Sequence, residues 1–279
     1  MILVSSCSYR SISTRSGADI VYKKKDQRKL EEVLHNLKSE KDKPVSELMV
    51  LTGKQFLETP YVGYTVEIGK NEQLVINLRG LDCTTFAENC LAISRTMKSD
   101  KLTFEQFTKE LEGIRYRKGV LDGYPSRLHY FSDWIYENEQ KELIKDVTQG
   151  IGDIPYPIEV NFMSTHPESY KRIKKDMTLA SIIAEQERSI STRKMHYIPE
   201  ERLAEFEDQL QGGDIAGITT SIEGMDIQHV VILVRVKDRV HIMHASSKAE
   251  KVIISEETLE DYLFNNEKAT GIMVARPEN

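Results

Sequence analysis

Only three cysteines occur in 279 residues and none forms a CxxC pair, which leaves no disulfide framework and no cysteine-rich zinc site. HExxH and comparable ligand spacings are missing too, so no metal or other cofactor is expected. There is no basic surplus: 38 Lys and Arg stand against 44 Asp and Glu, a net charge of −6, which removes the electrostatic footprint of a nucleic-acid binder. No apolar run approaches the roughly 20 residues that span a bilayer, so no integral membrane segment is expected. Internal repeats and low-complexity blocks are absent. What is present, 39% hydrophobic and 29% charged residues, is ordinary for a globular protein holding one large domain or two small ones.

The chain opens on "MILVSSCSYRSISTRSGAD", in which Val4, Ser5 and Ser6 precede Cys7. This resembles the tail of a bacterial lipoprotein signal, although the basic segment is lacking and the apolar run is short. Cys7 is therefore a candidate lipid anchor, the expected location is the bacterial cell envelope, and residues 1–20 are expected to lie outside a single domain over 21–279.

Apolar spacing predicts helices over 26–40 and 46–58, broken at "KDKP", then a strand at 73–78. A further helix follows Asp82, with Phe86, Cys90, Ile93 and Met97 at three- and four-residue steps and Asp82 as its N-cap. Thr103 and Gln106 form a capping pattern for a helix over 104–115. Residues 126–147, which carry the sole tryptophan, have helical character, whereas 150–198 is irregular, with "GDIPYPIEVNFMSTHP" followed by one or two short helices, and is expected to be an insertion that walls a cleft. The last third turns to β: stretches at 213–220, 228–236, 240–245, 251–255 and 271–277 are rich in Val and Ile and bounded by turn residues. Their short connections imply antiparallel pairing, and "HVVILV" is apolar on both faces, as befits a central strand. Helices first and a small antiparallel sheet last make an α+β fold.

Two features of this layout carry chemistry. Cys83 opens the helix after Asp82, where unpaired N–H groups and the positive dipole end favour a thiolate. The same position also suits a small apolar residue at the start of a buried helix. Cys90, seven residues on, would be about 10.5 Å away and out of disulfide reach. His229 and His244 begin and end adjacent strands. If the turn spans Val236 to Arg239 with Arg235 opposite Val240, His244 faces Val231 and lies diagonally from His229 on the same face. Taken singly, either histidine is an ordinary half-buried strand residue. A nucleophilic cysteine, however, needs a base within reach and a group that orients the base.

The ordered motifs "LDCTTF", "QGGDIAGI", "HVVILV" and "MHASS" resemble the NlpC-type cell-wall hydrolases, a papain-like cysteine peptidase group, over roughly residues 45–279. "TPYVGYTVE", "RLHYFSDWI" and "GIMVARP" are similar to an amidase-like branch of that group. The resemblance implies a papain-like α+β domain with Cys83 as nucleophile, His229 as base and His244 as orienting residue. It further implies that Tyr61 lines the site and offers its hydroxyl to substrate or oxyanion, though an ordinary packed aromatic fits that position as well. The implied activity is that of an N-acetylmuramoyl-L-alanine amidase acting through a Cys thioester on peptidoglycan fragments. Alternatives are a γ-D-glutamyl-diamino-acid endopeptidase, a non-catalytic cell-wall-binding module and a thiol acyltransferase. Only Gly63 remains of the glycine-rich segment expected after the tyrosine. His129 and Trp134 receive no role.

Overall fold

The computed structural model describes residues 10–13, 17 and 19–279. Cys7 lies outside the described residues. Strands β1 (Arg10–Ser13) and β2 (Asp19–Tyr22) are followed by helices α1 (Lys24–Asn36) and α2 (Val45–Lys54), a short β3 (Leu74–Val75), then α3 (Cys83–Lys98), α4 (Phe104–Arg115) and α5 (Phe131–Gln140). The middle of the chain holds β4 (Ile144–Asp146), α6 (Thr148–Gly152), β5 (Ile154–Tyr156), α7 (Phe162–Thr165), α8 (Lys171–Lys175), α9 (Thr178–Ser191), β6 (Met195–Pro199) and α10 (Leu203–Phe206). The last part comprises β7 (Ile215–Thr220), β8 (Ile227–Val236), β9 (Arg239–Ser246), β10 (Lys251–Thr258), α11 (Leu259–Phe264) and β11 (Ala269–Pro277). The fold is α+β, with an antiparallel sheet in the order β10-β9-β8-β7-β11-β6-β5; β4 also pairs with β11. A smaller sheet, β1-β2-β3, is hydrogen-bonded separately and adds Ile20, Tyr22 and Leu74 to the main core.

β8 is central and buried on both faces because its apolar residues serve two cores. Val230, Ile232 and Val234 face the core shared with α2 and α3, while Val231 and Leu233 face a second core closed by Leu259 and Leu263 of α11. Both pleat faces of a strand can be apolar only when both are covered. The β8–β9 hairpin has the expected register, Arg235 opposite Val240, around a turn in which Lys237 takes a positive φ of 56°.

α3 is buried on nearly every side, as suits a helix inside the domain, and packs on β8 and β9. Its start is fixed by a reciprocal cap: Asp82 Oδ1 accepts the Thr85 N–H at 2.8 Å, and the Asp82 N–H donates to Thr85 Oγ1 at 3.0 Å.

Three elements differ from the sequence expectation. Only Leu74–Val75 of the strand expected at 73–78 pairs, in parallel with β2. The helix expected over 126–147 is confined to Phe131–Gln140, because Leu128 N–H is drawn to the Arg115 carbonyl at 3.0 Å and residues 144–146 join the sheet beside β11. Residues 150–198 contain a 14-residue helix and two strands that extend the sheet, with a core of their own around Tyr130, Met163, Ile183 and Ile190.

Candidate functional site

Cys83 is positioned by the Asp82 cap and half-buried where β8 and β9 part. Their ladder ends at Ile232 opposite Met243. Leu233 exchanges hydrogen bonds with the β7 side, donating to the Asp214 carbonyl at 2.8 Å. By alternation, the Val230 N–H therefore points to the β9 side, beyond the end of the ladder. From there it favours the thiolate form of Cys83. Among the described residues Cys83 and Cys90 are both free thiols.

The two histidines meet. His229 Nε2 and His244 Nδ1 are 2.6 Å apart, with the rings near edge-to-face, their centroids 4.9 Å apart at 77°. Since Nε2 of His229 is taken up by its partner, Nδ1 is the nitrogen left for other chemistry. Tyr262 of α11 covers both rings, 6.4 Å from His229 and 5.8 Å from His244 by centroids. His244 is 4% exposed. Burial, and secondarily the proximity of His244, pull the His229 imidazolium down to about 3. Burial alone pulls His244 down to about 4. Burial and then the Asp82 carboxylate push the Cys83 thiol up, against the opposing hydrogen bonds from Val230 and Thr84. At neutral pH the resting site is thus a neutral thiol and two neutral imidazoles.

Tyr61 is held on the other side of Cys83. Its N–H donates to the Glu250 carbonyl at 2.8 Å, and the next residue, Val62, donates to Leu81 at 3.0 Å, which locks the segment beside the residues leading into α3. Burial, then the negative charge available at Cys83 and Asp82, raise its hydroxyl pKa, so the phenol lies within the field of the nucleophile.

These residues border one cleft with two lobes meeting at Cys83. The inner lobe is lined by Phe131, Trp134, Met163, Asp226, Gln228 and His229. The outer lobe is lined by Tyr61, Tyr64, Arg127, Ser169 and Lys171. Cys83, Glu88, His129 and Tyr170 border both. Met163 and Tyr170 come from the segment 150–198. That segment is fastened to the rest by the Tyr130 hydroxyl, which donates to Glu187 at 2.6 Å and accepts from Met163 N–H at 3.0 Å. Glu88 is neutralised at the cleft floor by buried Arg115 at 2.7 Å. Among the described residues, no three His, Cys, Asp or Glu side chains gather as metal ligands, and no helix is long and apolar enough to cross a membrane.

Sequence reasoning singled out Cys83, His229, His244 and Tyr61, and all four reach this cleft or the imidazole pair beside it. It left His129 and Trp134 without a role, and both line the cleft. It missed Tyr64, Tyr170, Asp226 and Tyr262. Only Asp226, three residues before His229 in "DIQH", carried a local cue.

A model of the AmiA-like family, described as N-acetylmuramoyl-L-alanine amidase-like, matches residues 51–272. The fold superposes with a TM-score of 0.81 on an N-acetylmuramoyl-L-alanine amidase from Bacteroides uniformis, at 35% identity over 84% of this chain and 99% of that one. A Bacteroides fragilis structure provisionally named a xylanase superposes with a TM-score of 0.77, at 37% identity over 80% of this chain and 98% of that one. A Legionella pneumophila protein shares the fold, with a TM-score of 0.70 at 20% identity over 91% and 95% of the two chains. No curated protein matches the chain.

Proposed function

The chain belongs to the AmiA-like, N-acetylmuramoyl-L-alanine amidase-like family, and from that premise we propose that it cleaves the amide between the lactyl group of N-acetylmuramic acid and the L-alanine of the stem peptide, through a papain-like Cys83–His229–His244 triad. The observation that carries this reading is the 2.6 Å contact between the two imidazoles, with His229 lining the same cleft as Cys83, the first residue of the capped helix α3. Glycoside hydrolysis, the chemistry a xylanase needs, calls for two facing carboxylates. Here Glu88 is tied up by Arg115, and Asp226 by the N–H and hydroxyl of Ser132 at 2.7 and 2.8 Å.

In this reading His229 donates Nε2–H to His244 Nδ1, which leaves Nδ1 of His229 as an unprotonated base. It takes the Cys83 S–H proton as sulfur attacks the lactyl carbonyl carbon. The oxyanion forms at the start of α3, where the Cys83 N–H and the Tyr61 hydroxyl are the available donors. Collapse breaks the C–N bond, and the proton on His229 passes to the leaving amine, giving free stem peptide and a Cys83 thioester. Water then loses a proton to His229 and attacks the thioester carbonyl, and the departing sulfur regains that proton. Because both imidazoles and the thiol rest neutral, proton transfer accompanies attack rather than preceding it. His244 accepts the hydrogen bond that steadies the imidazolium while it exists. A peptidoglycan substrate implies a cell-envelope location, with Cys7 as the lipid anchor.

Incubation with a muramyl tetrapeptide and mass analysis of the products tests the bond choice. Release of intact tetrapeptide with free N-acetylmuramic acid supports the amidase. A muramyl fragment retaining L-Ala-D-Glu identifies the endopeptidase instead and overturns the assignment.

A further inference from the structure

Tyr64 combines three properties that packing does not account for. It is 83% exposed, the most of the exposed large hydrophobic residues among the described residues. Its backbone is left-handed, at φ 61°, a region that disfavours a bulky L-residue and that glycine or asparagine would occupy with less strain. It nevertheless borders the outer lobe of the cleft beside Tyr61 and Cys83. The segment bearing it is anchored rather than loose. Glu67, whose N–H reaches the Tyr64 carbonyl at 3.3 Å, pairs with Arg127 at 2.7 Å. The Arg172 guanidinium donates to the carbonyls of Ile68, Lys70 and Asn71 at 3.2, 2.7 and 2.8 Å. Strain held by its surroundings at the rim of a reactive cleft marks a residue placed for a ligand.

The chemistry of the reaction decides which half of the substrate Tyr64 meets. The leaving amine must receive its proton from His229, and His229 borders only the inner lobe, whereas Tyr61 borders only the outer one. The stem peptide therefore departs along the inner lobe, and the acyl half, a lactyl group carried on a pyranose, extends into the outer lobe towards Tyr64. A pyranose presents a face of C–H bonds that packs on an aromatic ring and removes its apolar surface from water. Tyr170 stands nearby on the same lobe, close enough that Tyr64 is among the groups raising its hydroxyl pKa, after burial and Glu187.

We propose that Tyr64 is a specificity-determining residue whose exposed ring forms the platform for the saccharide of the acyl half, an assignment that rests on the amidase reading. The strained backbone is then the cost of holding the ring over the cleft. Replacement by glycine should remove the platform and relieve the strain together.

The test compares the full chain with its Tyr64→Gly and Tyr64→Phe variants on muramyl tetrapeptide. For Tyr64→Gly, KM rises about tenfold with kcat within about threefold, as expected when binding shared by ground and transition states is lost. The inhibition constant of N-acetylmuramic acid rises in parallel, and that of free tetrapeptide stays within about twofold of the parent. The melting temperature is unchanged or up to about 3 °C higher, because glycine suits the left-handed backbone. Tyr64→Phe keeps the parent KM within about threefold. Unchanged KM in Tyr64→Gly, equal weakening of both products, or a lowered melting temperature overturns the assignment of Tyr64 alone. A parent enzyme that releases no tetrapeptide overturns the amidase reading and this assignment together.

Discussion

Acidification should destabilise this protein through its buried imidazoles, His129 and, as a pair of rings in contact, His229 and His244. His229 and His244 are held neutral by burial, with folded-state values of about 3 and about 4. In the unfolded chain both titrate near 6.5. Their folded values are depressed, so the unfolded state binds more protons as pH falls; the stability they contribute is present above 6.5 and is lost as pH drops towards 4 and then 3. Between pH 7 and pH 5 each histidine gains most of a proton on unfolding and stays neutral when folded, which removes about 2 kcal/mol per ring and about 4 kcal/mol for the pair. Urea unfolding at pH 7, 6 and 5 measures this directly. Carboxylates also titrate on unfolding, so the same series on His229→Gln/His244→Gln supplies the baseline, and the difference in slope between the two proteins isolates the pair. Parent and double variant losing stability in parallel from pH 7 to 5 would refute the reasoning, because the imidazoles would then carry protons in the folded state as readily as in the unfolded one.

Other consequences follow from single contacts. Asp82→Asn keeps an N-cap for α3 but removes the charge that helps push the Cys83 thiol up, so alkylation of Cys83 by iodoacetamide at pH 8 should accelerate about two- to tenfold with little change in melting temperature. His244→Ala removes the partner of His229 Nε2 and should lower kcat by about 10²- to 10⁴-fold with a much smaller effect on KM, as steady-state kinetics would show. A Cβ on Gly217 would lie 2.3 Å from Phe131 Cδ1 and 2.8 Å from Ile227 Cγ2, inside van der Waals contact. Gly217→Ala should therefore cost about 1–3 kcal/mol by denaturant unfolding and, by displacing Phe131 at the inner lobe, raise KM.

The parts of the site set by local rules were legible. Asp82 followed by an apolar helical spacing placed Cys83 at a helix start, and the short connection between two Val- and Ile-rich stretches, taken as a turn over Val236 to Arg239, led to the hairpin register that brings His229 to His244. What was not legible depended on distant partners. The apolar spacing of 126–147 reads as one long helix, but its true start is set by Asp226, 94 residues away, which takes the N–H and hydroxyl of Ser132 as a cap would. Leu128, His129 and Tyr130 thereby fall in an extended stretch that walls the cleft. Tyr64 was hidden for a similar reason: no local pattern announces a left-handed tyrosine, and its loop takes its shape from Arg127 and Arg172, far along the chain. Tyr262 reaches the imidazoles only because α11 closes the second core over β8 and β9.

The most direct test of the central claim is turnover of muramyl tetrapeptide by Cys83→Ala beside the parent, with folding of the variant verified by its melting curve. If sulfur forms the acyl-enzyme, kcat/KM falls by at least about 10³-fold while the fold persists. A folded alanine variant that still releases tetrapeptide at a rate near that of the parent would contradict the account.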